Sequence, residues 1–156
     1  MSLHPVPMAV IIQAMVDATV SGVIFTADPA SQDPHTMIIS SLYGLGEGLV
    51  SRGLDADHID YNKRTHTFKT TVADKPSSYV LDTHHGGGLQ EQAVDTDKQS
   101  QLSLTEGQLQ QLVDIGGALE KKRGRPQDIE FCYNAQGQLY LLQTRDVTTV
   151  HEVGPA

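Results

Sequence analysis

Apolar residues along this chain gather in short β-branched or alternating runs broken by Gly, Pro, Asp and Asn, and only one long segment recurs at helical spacing. Met8-Ala-Val-Ile-Ile-Gln-Ala-Met-Val16 predicts a buried strand, although a short run of this kind also fits a helix turn. Asp17-Ala-Thr19 separates it from a second strand, Val20-Ser-Gly-Val-Ile-Phe-Thr-Ala27. Asp28-Pro29 and Asp33-Pro34 mark a loop, because the residue before a proline is pushed out of the helical region. Met37 to Tyr43 predicts a third strand. It leads into Gly44-Leu-Gly-Glu-Gly-Leu-Val-Ser-Arg-Gly53, too rich in glycine for a robust helix. His58–Tyr61 and Thr67–Val72 flank the turn residues Asn62–Thr65 and predict a hairpin, and Tyr79–Leu81 predicts a short strand before Gly86–Gly88.

The clearest helix starts after Thr105. Thr105 and Gln108 have the spacing of a capping box, in which two side chains satisfy free backbone N–H groups reciprocally. Leu109, Leu112, Val113, Gly116 and Leu119 line one helical face. Lys121, Lys122 and Arg123 suit the negative end of the helix dipole, and Gly124 terminates it. The pair Gly116-Gly117 implies a closely packed neighbouring backbone. Two alternating runs, Asp128–Tyr133 and Gln138–Arg145, flank Asn134-Ala-Gln-Gly137 and predict a terminal hairpin. Hairpins outnumber helices and no strand–helix series alternates, so the predicted fold class is α+β: an antiparallel sheet with helices packed on it.

At 156 residues the chain is one domain's worth, able to bury roughly 70% of its unfolded surface. Eleven basic and 19 acidic residues give a net charge of −8, with 38% hydrophobic residues, which excludes a disordered acidic tail. With no Trp, five Tyr, three Phe and no basic stripe, no nucleic-acid partner is expected. No apolar run reaches the ~18 residues of a membrane span, so no membrane partner is expected either. A single Cys132 excludes an internal disulfide framework and fits a reducing, cytoplasmic location.

The terminal hairpin carries the candidate chemistry. Positions facing each other across an antiparallel pair have indices that sum to a constant. A two-residue or a four-residue loop makes that constant odd. Asp128, Glu130, Cys132, Leu139, Leu141, Gln143 and Arg145 then share one face, while Ile129, Phe131, Tyr133, Tyr140 and Leu142 take the core side. A one-residue bulge would break this reasoning. Carboxylate and amide oxygens are hard ligands suited to Mg²⁺, which takes one or two protein ligands and completes its shell with water and phosphate oxygens. An arginine beside them offers a fork matched to a terminal phosphate. The bland alternative is an outer sheet face bearing a solvated Asp–Arg pair.

Asp128-Ile-Glu-Phe with Leu139-Tyr-Leu-Leu-Gln-Thr-Arg145 resembles the closing segment of the nucleotide-binding domain of phosphoenolpyruvate synthase and pyruvate phosphate dikinase. Gln13-Ala-Met-Val16, Ser21-Gly-Val-Ile-Phe-Thr-Ala-Asp-Pro29, Tyr43-Gly-Leu-Gly-Glu47 and Gly86–Gly88 are similar to that domain's earlier motifs and occur in the same order. The resemblance runs from about Ala9 to Thr149. It implies an ATP-grasp-like half with ATP and Mg²⁺ as cofactors. It also implies that Glu130 and Gln143 hold the metal, that Arg145 contacts the distal phosphates, and that Asp128 supports them. Gln13, Met15 and Val16 would receive the adenine, and Glu47 would stand beside the glycine loop. Arg145, Glu130 and Gln143 are therefore the candidate catalytic residues. The implied activity is phosphorylation of a carrier histidine on the way from pyruvate to phosphoenolpyruvate. A rifampin-type phosphotransferase with another acceptor and a non-catalytic regulatory module are the alternatives. Asp146 stands where many relatives have Pro.

In this reading residues 8–150 form the ATP-grasp subdomain, the carboxy-terminal portion of the nucleotide-binding domain. Residues 1–7 are linker or expression-derived residues, and 151–156 are a tail. The implied partners are the amino-terminal ATP-grasp lobe and the phosphohistidine domain of the same enzyme. Without them the chain is expected to be an inactive fragment, open to self-association. Gly44-x-Gly46-x-Gly48 matches neither a Walker loop nor a full dinucleotide fingerprint and reads first as a turn. His84-His85 reads as a loop pair, Cys132 as a space-filler, and the Lys121–Arg125 cluster as an ordinary cationic helix end.

Overall fold

The computed structural model describes residues 18–28, 33–46, 56–75, 77–81 and 89–147. The expected strand at 8–16, most of the glycine-rich stretch, and the His84-His85 and Gly86–Gly88 features lie outside them. A six-stranded sheet of wholly antiparallel neighbours organises the rest. Its strands are β1 (Ala18–Phe25), β2 (Thr36–Tyr43), β3 (Asp57–Asn62), β4 (Thr67–Thr71), β7 (Gln127–Asn134) and β8 (Leu139–Asp146). They lie in the order β4-β3-β2-β1-β7-β8. β5 (Ser77–Leu81) and β6 (Leu89–Ala93) form a separate two-stranded ribbon. Two helices complete the described chain, the short α1 (Thr96–Gln99) and the long α2 (Glu106–Arg123). The α+β class follows.

Helix α2 forms for the reasons its sequence predicts. Thr105 Oγ1 accepts from the Gln108 N–H while the Gln108 side chain accepts from the Thr105 N–H, so both halves of the capping box are made. Gly124 closes the helix in the left-handed region at φ 73°, where a Cβ would be strained. Leu109, Leu112 and Val113 bury against Ile24, Ile39, Ile59, Ile129, Phe131 and Tyr133 of the sheet. Each such aliphatic side chain contributes about 1.5–3 kcal/mol when fully removed from water. The expected close approach at Gly116 is real, but to side chains. A Cβ there would lie 3.4 Å from Thr26 Cγ2 and 3.6 Å from both Ile24 Cγ2 and Met37 Sδ.

A polar knot lies below the start of α2. Asp57 is fully buried. It accepts from Lys75 Nζ (2.7 Å) and Ala73 N on one oxygen, and from Ser103 N and Oγ (2.7 Å each) on the other. Ser103 Oγ also meets Ser41 Oγ at 2.6 Å. At the opposite end of α2, Glu120 accepts from Lys63 Nζ at 2.8 Å and from Thr26 Oγ1. The helix is thus pinned at both ends to the sheet it covers.

Three details depart from the sequence reading. β1 begins at Ala18, so Ala18 and Thr19 belong to the strand instead of separating two. Thr19 is the extra residue of a bulge against β7, its hydroxyl donating toward the carbonyls of Tyr133 and Asn134. β6 and α1 were not foreseen, because Leu89-Gln-Glu-Gln-Ala93 is too polar to show alternation and four residues are too few for a helical period.

Candidate functional site

One face of the six-stranded sheet is covered by α2; the site candidates stand on the other. Direct pairing sets Asp128 opposite Arg145 and Glu130 opposite Gln143, so these four share a face as expected. Arg145 Nε donates to Asp128 Oδ2 at 3.0 Å, with the Asp128 side chain 14% exposed and that of Arg145 66% exposed. The carboxylate is sheltered and the guanidinium reaches out. In the next strand, Val23 pairs with Glu130 and Phe25 with Asp128, and both are half-buried.

Beyond Gln143 the register shifts. Phe131 pairs with Leu141, Cys132 with Tyr140 and Tyr133 with Leu139, leaving Leu142 as the extra residue of a bulge on β8. Paired indices sum to an even number beside the turn, so the loop holds an odd number of residues instead of two or four and the turn half reverses relative to the sequence expectation; the bulge restores the expected parity beyond Leu142. Leu139 and Leu141 pack into the α2 core, whereas Tyr140 and Leu142 join Cys132 and Ala18 in a second cluster. The assignment of Tyr140 and Leu142 to the core side, and of Leu139 and Leu141 to the site side, is therefore corrected. Alternation alone carries no mark of a bulge.

That second cluster connects the hairpin to the glycine-rich segment. Gly44 takes φ 83°, its N–H donates to Thr19 O at 2.8 Å, and its carbonyl accepts from the buried Ser21 Oγ at 2.7 Å. The turn lays Leu45 against Cys132, Ala18 and Leu142. The start of the Tyr43-Gly-Leu-Gly motif thus comes down on the face that carries Glu130 and Gln143. Cys132 fills the seam, as its space-filling reading expected. Burial pushes its thiol up to about 11, so it stays protonated and unreactive near neutrality.

The donor chemistry fits Mg²⁺. Among the described residues no group of three or more His, Cys, Asp or Glu side chains could cage a metal. A facing carboxylate and amide suit an ion that draws its remaining ligands from water and phosphate. Gln13, Met15, Val16 and Glu47 lie outside the described residues. A polar pair that the sequence reading missed stands on the same face: Ser40 Oγ and His58 Nδ1, 3.0 Å apart on β2 and β3. The long connection between Tyr43 and Asp57 fixes no pairing register, so the sequence alone did not bring the two together.

The chain matches the pyruvate phosphate dikinase, AMP/ATP-binding domain family over residues 1–154, and it belongs to that family. It is 36% identical over 149 residues to a rifampicin phosphotransferase of Bacillus subtilis (strain 168), covering 96% of this chain and 17% of the relative. It is 33% identical over 146 residues to a probable phosphoenolpyruvate synthase of Methanocaldococcus jannaschii, covering 93% and 12%. With a phosphoenolpyruvate synthase of Pyrococcus furiosus the identity is 31% over 155 residues, covering 96% and 19%. The chain thus spans less than a fifth of the length of these relatives. It is a nucleotide-binding domain of a phosphotransferase family.

Proposed function

We propose that this chain supplies the Mg²⁺–ATP-holding face of an ATP-dependent phosphotransferase, as the carboxy-terminal portion of an ATP-grasp site. The observation that carries the reading is the register of β7 and β8, which sets Glu130 opposite Gln143 beside the Asp128–Arg145 pair. Glu130 and Gln143 would hold Mg²⁺, which when bound neutralises charge on the polyphosphate. Asp128 holds the Arg145 guanidinium over the face, where its terminal nitrogens can meet phosphate oxygens. Phosphoryl transfer depends on positioning and on charge neutralisation from several sides. The opposing side would come from an amino-terminal lobe of the parent enzyme, and the acceptor would be the histidine of a phosphocarrier domain. A cytoplasmic setting fits the family's ATP chemistry.

For the onward product, the motif resemblance favours phosphoenolpyruvate made from pyruvate. A second reading, transfer to a rifampicin hydroxyl, has its own support in the 34–36% identity to rifampicin phosphotransferases. The test is the full-length parent protein incubated with Mg²⁺ and ATP, with pyruvate or with rifampicin. ATP consumption coupled to one acceptor decides between the two readings. No nucleotide binding and no consumption with either would overturn the proposal.

A further inference from the structure

We propose that Ser40 and His58 form a second phosphoryl-oxygen contact on the open sheet face, a subsite that extends the Mg²⁺–ATP face across the sheet. The inference rests on the site reading above and adds a contact to it. The register runs one transverse row through Gln143 on β8, Glu130 on β7, Val23 on β1, Ser40 on β2 and His58 on β3. Strands lie about 4.8 Å apart, so His58 stands about 14 Å along the sheet from Glu130, within the reach of an extended nucleotide or of a nucleotide and its acceptor in line. Among the described residues, Val23 and the half-buried Ser40 stand between them in that row.

The imidazole is held, not loose. Ser40 Oγ lies 3.0 Å from Nδ1, which fixes the ring on the face, while His58 as a residue is exposed and Nε2 has no partner among the described residues. With the hydroxyl donating to Nδ1, the neutral ring carries its proton on Nε2. The protonated ring carries one there too. In both states an N–H points away from the serine, the geometry that a phosphoryl oxygen accepts. Thr71, directly opposite His58 on β4, adds a neutral hydroxyl. The charged neighbours are Asp60, two residues along β3, and Lys69, which pairs with Asp60 in register. They stand opposite one another across β3 and β4, in the row next to the ring. Helix α2 packs on the opposite face of the sheet.

The test is nuclear magnetic resonance of the 156-residue chain with ¹⁵N-labelled imidazoles. It is titrated with Mg²⁺–AMPPNP, with inorganic phosphate in the presence of saturating Mg²⁺–ADP, and with adenosine. The backbone amides of Glu130 and Gln143 are followed in parallel. The His58 ring should move with one or both phosphate-bearing probes and not with adenosine. A response to AMPPNP assigns the contact to the nucleotide's own phosphates. A response only to added phosphate assigns it to the acceptor side. His58→Phe, which keeps a flat ring and removes the N–H, should weaken the corresponding affinity about tenfold, the loss of one hydrogen bond to a charged group. Ser40→Ala, checked for folding by circular dichroism, should change the Nδ1/Nε2 proton balance and weaken the same response. If the Glu130 and Gln143 amides respond to AMPPNP while His58 stays silent to both phosphate probes, the subsite is refuted and the Mg²⁺–ATP face stands. If neither region responds to any probe, the face reading fails and the subsite with it.

Discussion

Arg145 spends its Nε on Asp128, so the two terminal nitrogens of the guanidinium are left to whatever occupies the open face. Arg145→Lys keeps the charge and loses the fork, and should slow ATP cleavage more than it weakens adenosine binding. Glu130→Ala in the intact enzyme should lower cleavage by ~10²–10³-fold, since removing one preorganised electrostatic contact commonly costs that much. Gln143→Glu adds charge beside polyphosphate and should also impair it. Leu141→Met is the matched control, because its side chain is on the α2 side and the volume is kept. A cleavage assay on folded variants checks the set; a crippled Leu141→Met with an intact Glu130→Ala would invert the face. Tyr140 could not serve as that control, because the odd-length loop turns it toward Cys132. The four polar residues share the expected face because the bulge at Leu142 offsets a loop with an odd number of residues, which restores beyond it the parity assumed at the turn. Cys132 makes a separate prediction. Its thiol is raised by burial, so the folded chain holds the proton while the unfolded one loses it. Stability should therefore fall as pH rises from about 9 toward 11, and maleimide labelling at pH 8 should be far slower folded than in urea.

At the scale of elements, α2 and the hairpins were readable because each carried a signal independent of its neighbours: a capping box and left-handed glycine, or two alternating runs around a turn. The turn at Asn134 shows how local this is, with its Oδ1 accepting from both Gln136 N and Gln138 N and Gly137 at φ 78°. β6 had no such signal. Its Gln90, Glu91 and Gln92 are exposed, so no buried face imposed a pattern. Gly22 was likewise silent. Only the structure shows that a Cβ there would collide with the Ser40 carbonyl and the Phe131 ring. The cap of α2 gives a clean measurement. Thr105→Ala removes the hydroxyl acceptor for Gln108 N, and should cost about 1 kcal/mol in urea unfolding with an unchanged m-value. A loss below a few tenths would mean that water replaces the cap.

At the scale of the whole molecule, charged groups at three places respond differently to solvent. Asp146 is held below the usual carboxylate range by the Gln127 amide and then by Arg125 and Arg123, and Asp33 by the His35 N–H and the Thr36 hydroxyl. Both pKa values are depressed on folding, so their contribution is present above about pH 4 and lost as pH falls through the folded values. Asp146→Asn should flatten the acid limb of a stability–pH profile and leave the neutral region nearly unchanged. The third place is the Asp57–Lys75 pair, whose side chains are 0% and 1% exposed. Water cannot screen it. Nothing in the sequence announced it, since Asp57 and Lys75 fall in separate segments with ordinary polar neighbours. Lys75→Met would strand a carboxylate that still faces Ala73 N and both Ser103 donors, and breaking a buried pair from one side costs about 3–5 kcal/mol. Asp57→Asn together with Lys75→Met removes both charges while leaving a hydrogen-bonding amide for Ser103, and should recover at least half of that loss. Urea unfolding of the two single variants and the double variant measures the coupling directly. Additive single losses would show that the two charges fold independently, and that the sheet end and the start of α2 are not joined through them.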